Sequence, residues 1–122
     1  MKKIFLTTLC VIAIMTITSV QSGYTQTQMT PWPGVSVNVL KDNDHVKISK
    51  MTFAPGATTD WHSHPQFTIY AITDVKMKEE IKDKAPGTIE LKAGQAIWFS
   101  AVMHKITNDG KSAFTIIVNE IK

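Results

Sequence analysis

The chain has 122 residues, carries 13 lysines and 10 acidic residues, and contains one cysteine and no arginine. A length of this order fits a single domain, because cores of this size do not usually divide, and it leaves no room for a second catalytic domain. The lack of arginine removes the planar guanidinium that many carboxylate and phosphate sites use.

The first 22 residues have the layout of a secretory signal peptide. Lys2 and Lys3 precede an apolar run over residues 4–17, and small or polar residues follow it. The run is shorter than the roughly 20 residues that a membrane-spanning helix needs, and no basic cluster follows, which favours cleavage over anchoring. We expect cleavage after Ser22, so the mature protein should be periplasmic or secreted and should have no membrane segment.

Cleavage also changes the chemistry that the mature chain can perform. It removes Cys10, and with it any thiolate ligand, thiol nucleophile or disulfide. Removing Lys2 and Lys3 from the 13 lysines leaves 11 against the 10 acidic residues. A near-neutral chain offers no basic stripe to follow a phosphate backbone, so we expect no nucleic-acid partner.

The pattern after the leader predicts an all-β domain. Residues 23–33 are polar and closed by two prolines, which is typical of a linker, an N-terminal arm or an edge segment. Over residues 34–122, short alternating runs are separated by Gly, Pro, Asn and Asp, and none shows a sustained helical period. The first two runs, 35–40 and 45–53, predict a hairpin. The expected apolar members of the second run are Val46, Ile48, Met51 and Phe53. Such a pattern indicates a β-sandwich or barrel.

Two of the four histidines, His62 and His64, stand one residue apart in a segment of strand-forming residues. Residues i and i+2 of a strand project to the same side, which is a chelating arrangement. His104 lies in another strand-like segment and is available to face the same barrel interior. Three neutral imidazoles leave open positions on a first-row divalent ion such as Fe, Mn, Zn or Ni. Spacing alone equally allows two exposed loop residues, and His45, beside a polar turn, is interpreted as a surface residue.

The surroundings of these histidines resemble the two motifs of the cupin superfamily. Residues 55–73 open with a Pro-Gly turn, and Gly56 lies six residues before His62. Residues 91–110 resemble the second motif, with His104 as its histidine and an asparagine four residues later. The two motifs occur in cupin order with a short segment between them, as in small single-domain cupins.

The resemblance covers roughly residues 34–122 and implies a specific fold and site. The fold it implies is the double-stranded β-helix, a jelly-roll barrel with a divalent metal ion in its mouth. His62, His64 and His104 match the metal-binding histidines, and a small molecule is expected to bind beside the metal. Single-domain cupins commonly pair through their sheets, so the resemblance also implies a homodimer.

The chain departs from the cupin pattern where a fourth metal ligand is usual. Metal-binding cupins place a glutamate or glutamine three to five residues after the histidine pair, but here those positions hold Phe67, Thr68 and Ile69. Gln66 is nearer, and on an unbroken strand it would share the parity of His64, so it is a weak candidate ligand or hydrogen-bond donor. Pro65 makes that strand irregular.

The same alternation predicts the positions of several further residues. Thr68 and Tyr70 continue the parity of the histidine pair and are predicted to line the pocket, together with Trp98 of the barrel wall. The charged run 76–84 is interpreted as a solvated hairpin. No catalytic acid or base can be assigned.

Three functions remain open from the sequence. The first is a metal-dependent enzyme, with oxygenase-type chemistry favoured and isomerase or lyase chemistry equally open within the superfamily. The missing arginine and the lack of an H-x-D pair argue against the 2-oxoglutarate-dependent oxygenases. The second is a non-catalytic module that binds a small ligand, and the third is a structural barrel without metal.

Overall fold

The structure is a computed structural model that describes residues 27–122. The expected leader and its cleavage site lie outside this range. The described residues contain no helix, and so none that could cross a membrane. They form strands β1 (Gln28–Trp32), β2 (Val35–Asp42), β3 (Val46–Phe53), β4 (His62–His64), β5 (Phe67–Ala71), β6 (Val75–Ile81), β7 (Gly87–Leu91), β8 (Ala96–Phe99), β9 (Val102–Asn108) and β10 (Phe114–Ile121). The predicted all-β class is confirmed.

The strands form two antiparallel sheets that share one core. The six-stranded sheet has the order β1-β2-β3-β10-β5-β8, and the four-stranded sheet has the order β4-β9-β6-β7. From β3 onward the chain changes sheets at every connection except the one between β6 and β7. Such alternation between two packed sheets defines the jelly-roll barrel, which confirms the fold that the resemblance implied.

Apolar side chains from the inner faces of both sheets form the core. Phe53 and Phe114 stack with ring centroids 4.8 Å apart, and Phe67 is fully buried beside them in the same cluster. Met77 and Ile106 meet them from the four-stranded sheet. Burying each large apolar side chain contributes about 1.5–3 kcal/mol, so the core gives the barrel mouth a rigid base.

The predicted hairpin of β2 and β3 is present. The inward residues of β3 are Lys47, Ser49, Met51 and Phe53. Val46 and Ile48 have the opposite parity and point outward. The apolar residues of β3 form two pairs of opposite parity, Val46 with Ile48 and Met51 with Phe53. The pairing with β10, in which Ser49 lies opposite Val118, places Met51 and Phe53 on the inner face.

The described part of the N-terminal arm is an edge strand. β1 pairs with β2 and returns through a turn at Gly34, whose φ is +75°. A Cβ atom at Gly34 would lie 2.9 Å from the Cβ of Ala57, so this tight turn needs glycine for both its backbone conformation and its space. The hairpin carries Trp32 to the mouth of the barrel.

Candidate metal centre

The loop before β4 is held against β9, which fixes the position of the first histidine. The loop begins with a Pro-Gly turn in which Gly56 has φ +74°, as a type II turn requires. Further along, the Thr59 N–H donates to the Ile106 carbonyl at 2.9 Å, and the Ile106 N–H donates to Thr59 Oγ1 at 3.0 Å. His62 then pairs directly with His104 across the two strands.

The structure brings the three predicted histidines together. Their candidate ligand nitrogens all lie within 4.8 Å of one another. The ring centroid of His62 is 4.8 Å from that of His64 and 4.7 Å from that of His104, and the last two are 5.2 Å apart. His104 is only 3% exposed, while the other two are partly buried. The cluster therefore combines one deep residue with two residues nearer the barrel mouth.

The Nδ1 atom of each ring is occupied by a hydrogen bond. The partners are the Asp60 carbonyl oxygen at 2.9 Å from His62, Glu120 Oε1 at 2.6 Å from His64, and Glu79 Oε1 at 2.7 Å from His104. With these oxygens as acceptors, each Nδ1–H donates and each neutral ring keeps its lone pair on Nε2. Carboxylate or carbonyl partners of this kind commonly orient metal-binding histidines.

Two observations show that these residues fit a metal ion. The Nε2 atom of His104 is buried and has no hydrogen-bond partner among the described residues, which costs about 1–3 kcal/mol unless another group binds it. A void of about 20 Å³ lies against all three histidines, and a site for one water needs about 10–15 Å³. A divalent ion could therefore be held by the three imidazoles.

Burial prepares two of the rings for metal binding at neutral pH. Desolvation is the main cause that lowers the pKa of both His62 and His64 below the usual histidine value. The hydrogen bond that His64 donates to Glu120 raises the pKa of His64 but does not reverse the shift. Both rings are therefore mostly neutral at pH 7, which is the form that binds a metal.

The two carboxylates beside the histidines were not identified from the sequence. Glu79 belongs to the run 76–84, whose interpretation as a fully solvated hairpin is wrong at this residue: its side chain is 14% exposed and binds His104. Glu120 is 17% exposed and binds His64. The alternation within each strand could have indicated that these glutamates face inward. Glu79 continues the series of the core residues Val75 and Met77, and Glu120 continues that of Ile116 and Val118.

Four other predicted site residues lie away from the cluster, contrary to expectation. The Gln66 side chain is exposed, and its carbonyl accepts a hydrogen bond from the backbone of β10 at 3.0 Å. Thr68 lies on the outer face of β5, opposite Trp98 of β8. Tyr70 is 47% exposed and Trp98 is 58% exposed. The break at Pro65 carries the chain into the other sheet, so the parity of the histidine pair does not continue into β5, where Phe67 and Ile69 face inward.

A cavity of about 240 Å³ opens beside the histidines and is called the site cavity below. Its polar lining is Lys47, Ser49, His62, Ser63, His64 and Glu120. Its apolar lining is Met29, Pro31, Trp32, Val37, Met51 and Val118. The Trp32 ring centroid is 5.2 Å from that of His62, so the edge strand forms one wall of the cavity next to the metal-binding residues.

Comparison with solved structures identifies the family. A cupin domain from Bordetella pertussis has 27% sequence identity to this chain and a TM-score of 0.68, over 77% of this chain and 99% of that one. The described residues form a cupin domain. Neither the protein-family models nor the curated protein sequences give a match to it.

Two further similar structures show how widely this cupin's fold is shared. An RmlC-like cupin from Shewanella frigidimarina is 17% identical, with a TM-score of 0.60 over 83% of this chain and 87% of that one. The polyketide cyclase RemF from Streptomyces resistomycificus is also 17% identical, with a TM-score of 0.61 over 80% of this chain and 74% of that one. At these identities the likeness concerns the fold, and the chemistry must be argued from the site.

The cupin's donor set decides what the site can do chemically. Three neutral imidazoles leave the full charge of a divalent ion uncompensated by its protein ligands. Such an ion attracts oxygen donors, above all anionic ones, into its open positions. The site therefore suits a small molecule that offers oxygen atoms from the site cavity.

Proposed function

We propose that this cupin is an exported, metal-dependent enzyme of oxygenase type that acts on a small oxygen-bearing molecule. The observation that carries the proposal is that every Nδ1 of the histidine cluster is occupied while the Nε2 of His104 is buried without a partner. A divalent ion such as Fe(II) would supply Lewis-acid and redox chemistry there. His62, His64 and His104 would hold it.

The surrounding residues would prepare this site for a reaction. Glu79 and Glu120 fix the orientation of His104 and His64, so the rings need not reorganise when a metal binds. Trp32 forms an apolar wall of the cavity beside His62. At about 240 Å³, the site cavity is below the roughly 300–1,000 Å³ of drug-sized sites, which restricts the substrate to a small molecule.

Oxygen consumption by the Fe(II)-loaded protein tests the proposed enzyme. We expect a stimulated rate with at least one compound in a panel of small phenols and carboxylic acids, and no stimulation with the Zn(II)-loaded protein, because Zn(II) has no redox chemistry. The His104→Ala protein, treated with Fe(II) in the same way, serves as a second control. If no compound stimulates oxygen consumption but calorimetry shows that a panel member binds, the result would contradict the enzyme and support a binding module.

The binding module is a second candidate because of a specific feature of the site. Glu120 is the one carboxylate among the residues that line the site cavity, and its Oε1 atom is engaged by His64. A base held in this way is less available to remove a proton from a substrate. A ligand could then be bound at the metal without further reaction.

The export part of the proposal rests on the leader pattern of residues 1–22. The near-neutral balance of the mature chain supports a small molecule as its partner, with no nucleic acid and no membrane after cleavage of the leader. An export route also agrees with a site built from histidines, which unlike thiolates are not lost to oxidation outside the cytoplasm.

The proposed homodimer is supported by the outer face of the six-stranded sheet. Trp98 and Tyr70 are both more than two-fifths exposed there, and Tyr70 lies opposite Ile117 of β10. Aromatic residues of this kind are enriched in interfaces between identical subunits. We expect Trp98→Glu to shift the protein from dimer to monomer in sedimentation velocity, while Lys84→Glu, at a distant exposed turn, leaves the dimer intact. A wild-type monomer would contradict this prediction.

A further inference from the structure

We propose that Lys47 makes the site cavity selective for small carboxylates, with the acid group between the Lys47 ammonium and the metal centre. The inference rests on the proposed metal centre and names the class of molecule that it takes. It requires that Lys47 lie in the cavity, that its ammonium form no direct ion pair, and that the rest of the cavity suit such a molecule.

Lys47 lies on the inner face of the barrel. It is half-buried, has the parity of the core residues Met51 and Phe53, and lines the site cavity with His62 and His64. Its direct neighbour on β10 is Glu120, the residue that binds His64. Lys47 therefore lies on the strand next to Glu120, and Glu120 orients the ring of His64.

The charge of Lys47 acts on other side chains only at longer range: the pKa of Asp42 is lowered mainly by its hydrogen bond with Lys122, and Lys47 is a smaller cause. None of the ion pairs within 4.0 Å in the described part of the chain includes it. The two carboxylates on its neighbouring strands have other partners: Asp42 accepts from Lys122 at 2.5 Å, and Glu120 accepts from His64 at 2.6 Å. A half-buried lysine without a direct ion pair gains when an anion binds beside it.

The charges that face the cavity add up to a site for an anion. Lys47 contributes one positive charge and Glu120 one negative charge, so a divalent ion held by the imidazoles would leave a net positive cavity. A carboxylate has two oxygens, one for the metal and one for the ammonium. The remaining wall is apolar, with Trp32 and Val118 among its residues, and suits a short hydrocarbon or a ring.

Benzoate and benzyl alcohol are suitable probes because they share a ring and differ in charge. Their binding to Co(II)-loaded protein is measured by calorimetry, and the Co(II) absorption spectrum reports the metal centre. We expect Lys47→Met to weaken benzoate binding about 10- to 100-fold, as for the loss of a charge-assisted hydrogen bond, and to leave benzyl alcohol binding and Co(II) content unchanged.

Two variants control for charge and for folding. Lys47→Arg keeps the positive charge and should retain more of the benzoate affinity than Lys47→Met. Lys50→Met removes a lysine from the same strand, but that residue is exposed on the outer face, so benzoate binding should not change.

Three results would overturn the inference: no benzoate binding by the wild type, unchanged benzoate affinity in Lys47→Met, or equal weakening of both probes. Failure of the enzyme proposal looks different. Benzoate binding that depends on Lys47, without oxygen consumption on any compound, would reject the enzyme and keep the carboxylate site.

Discussion

Replacing His104 with alanine should remove high-affinity metal binding from the protein. The residue is 3% exposed, and its buried Nε2 atom has no hydrogen-bond partner, so the alanine variant loses the deepest nitrogen ligand of the cluster. Removing a residue that merely supports a ligand already costs about 10–100-fold in metal affinity, and loss of the ligand itself should cost more than 100-fold. Metal content after dialysis and calorimetric titration with Co(II) or Zn(II) measure the loss.

Controls separate loss of the ligand from loss of the fold. His45→Ala removes an exposed histidine beside the turn after β2 and should bind metal as the wild type does. A metal that binds the folded state also stabilises it, by about 4 kcal/mol when its concentration is 1,000 times its Kd. Excess metal should therefore raise the unfolding temperature of the wild type and of His45→Ala, but not that of His104→Ala. Unchanged metal content in a folded His104→Ala protein would contradict the site.

Replacing Glu79 with glutamine should weaken metal binding about 10–100-fold without changing the ligands. The glutamine oxygen can still accept from His104 Nδ1, at the place where the carboxylate now accepts at 2.7 Å. The negative charge that makes the imidazole a stronger donor to the metal is lost. Calorimetric titration of Glu79→Gln should show this weaker affinity, and its Co(II) spectrum should retain the form of the wild-type spectrum.

A matched control distinguishes this local effect from the loss of a charge anywhere on the barrel. Glu90→Gln removes an exposed carboxylate of β7 that lies 3.9 Å from the Lys76 ammonium of β6. Strand β7 pairs with neither of the strands that carry the histidines, β4 and β9. This variant should leave the metal affinity unchanged. Equal affinities in the wild type and in Glu79→Gln would mean that the carboxylate does not support His104 in metal binding.

The histidine cluster was predictable because its signals are local. The parity of His62 and His64 follows from two positions in one strand, and the spacing from Gly56 and the form of the second segment around His104 gave the family resemblance. The all-β class followed from alternation and turn residues in the same way. None of these signals requires knowledge of which strands are neighbours.

The surroundings of the cluster depended on long-range pairing and were therefore missed. Lys47 faces inward because of the register between β3 and β10, whereas the apolar residues Val46 and Ile48 suggested the opposite phase. Glu79 meets His104 through the pairing of β6 with β9, and Glu120 of the six-stranded sheet meets His64 of the four-stranded sheet. A one-residue change of register turns every side chain to the other face, so local alternation alone cannot decide such cases.

The same physical reason explains the residues that were placed in the pocket wrongly. The prediction for Gln66, Thr68 and Tyr70 assumed one continuous strand after His64. In the structure, β4 ends at His64 and β5 begins at Phe67 in the other sheet. Because the chain changes sheets, Phe67 and Ile69 face inward and Thr68 between them faces outward. The wall that this strand presents to the interior is therefore apolar and not polar as expected.

Metal stoichiometry combined with X-ray absorption spectroscopy of the purified protein is the most direct measurement of the metal centre. We predict about one divalent ion per chain and a first coordination sphere with three imidazole nitrogens, the remaining ligands being light atoms from water or buffer. The His104→Ala protein should lose that signal. A metal-free wild type after incubation with Fe(II), Co(II) or Zn(II), or a bound ion whose spectrum shows no imidazole, would contradict the account.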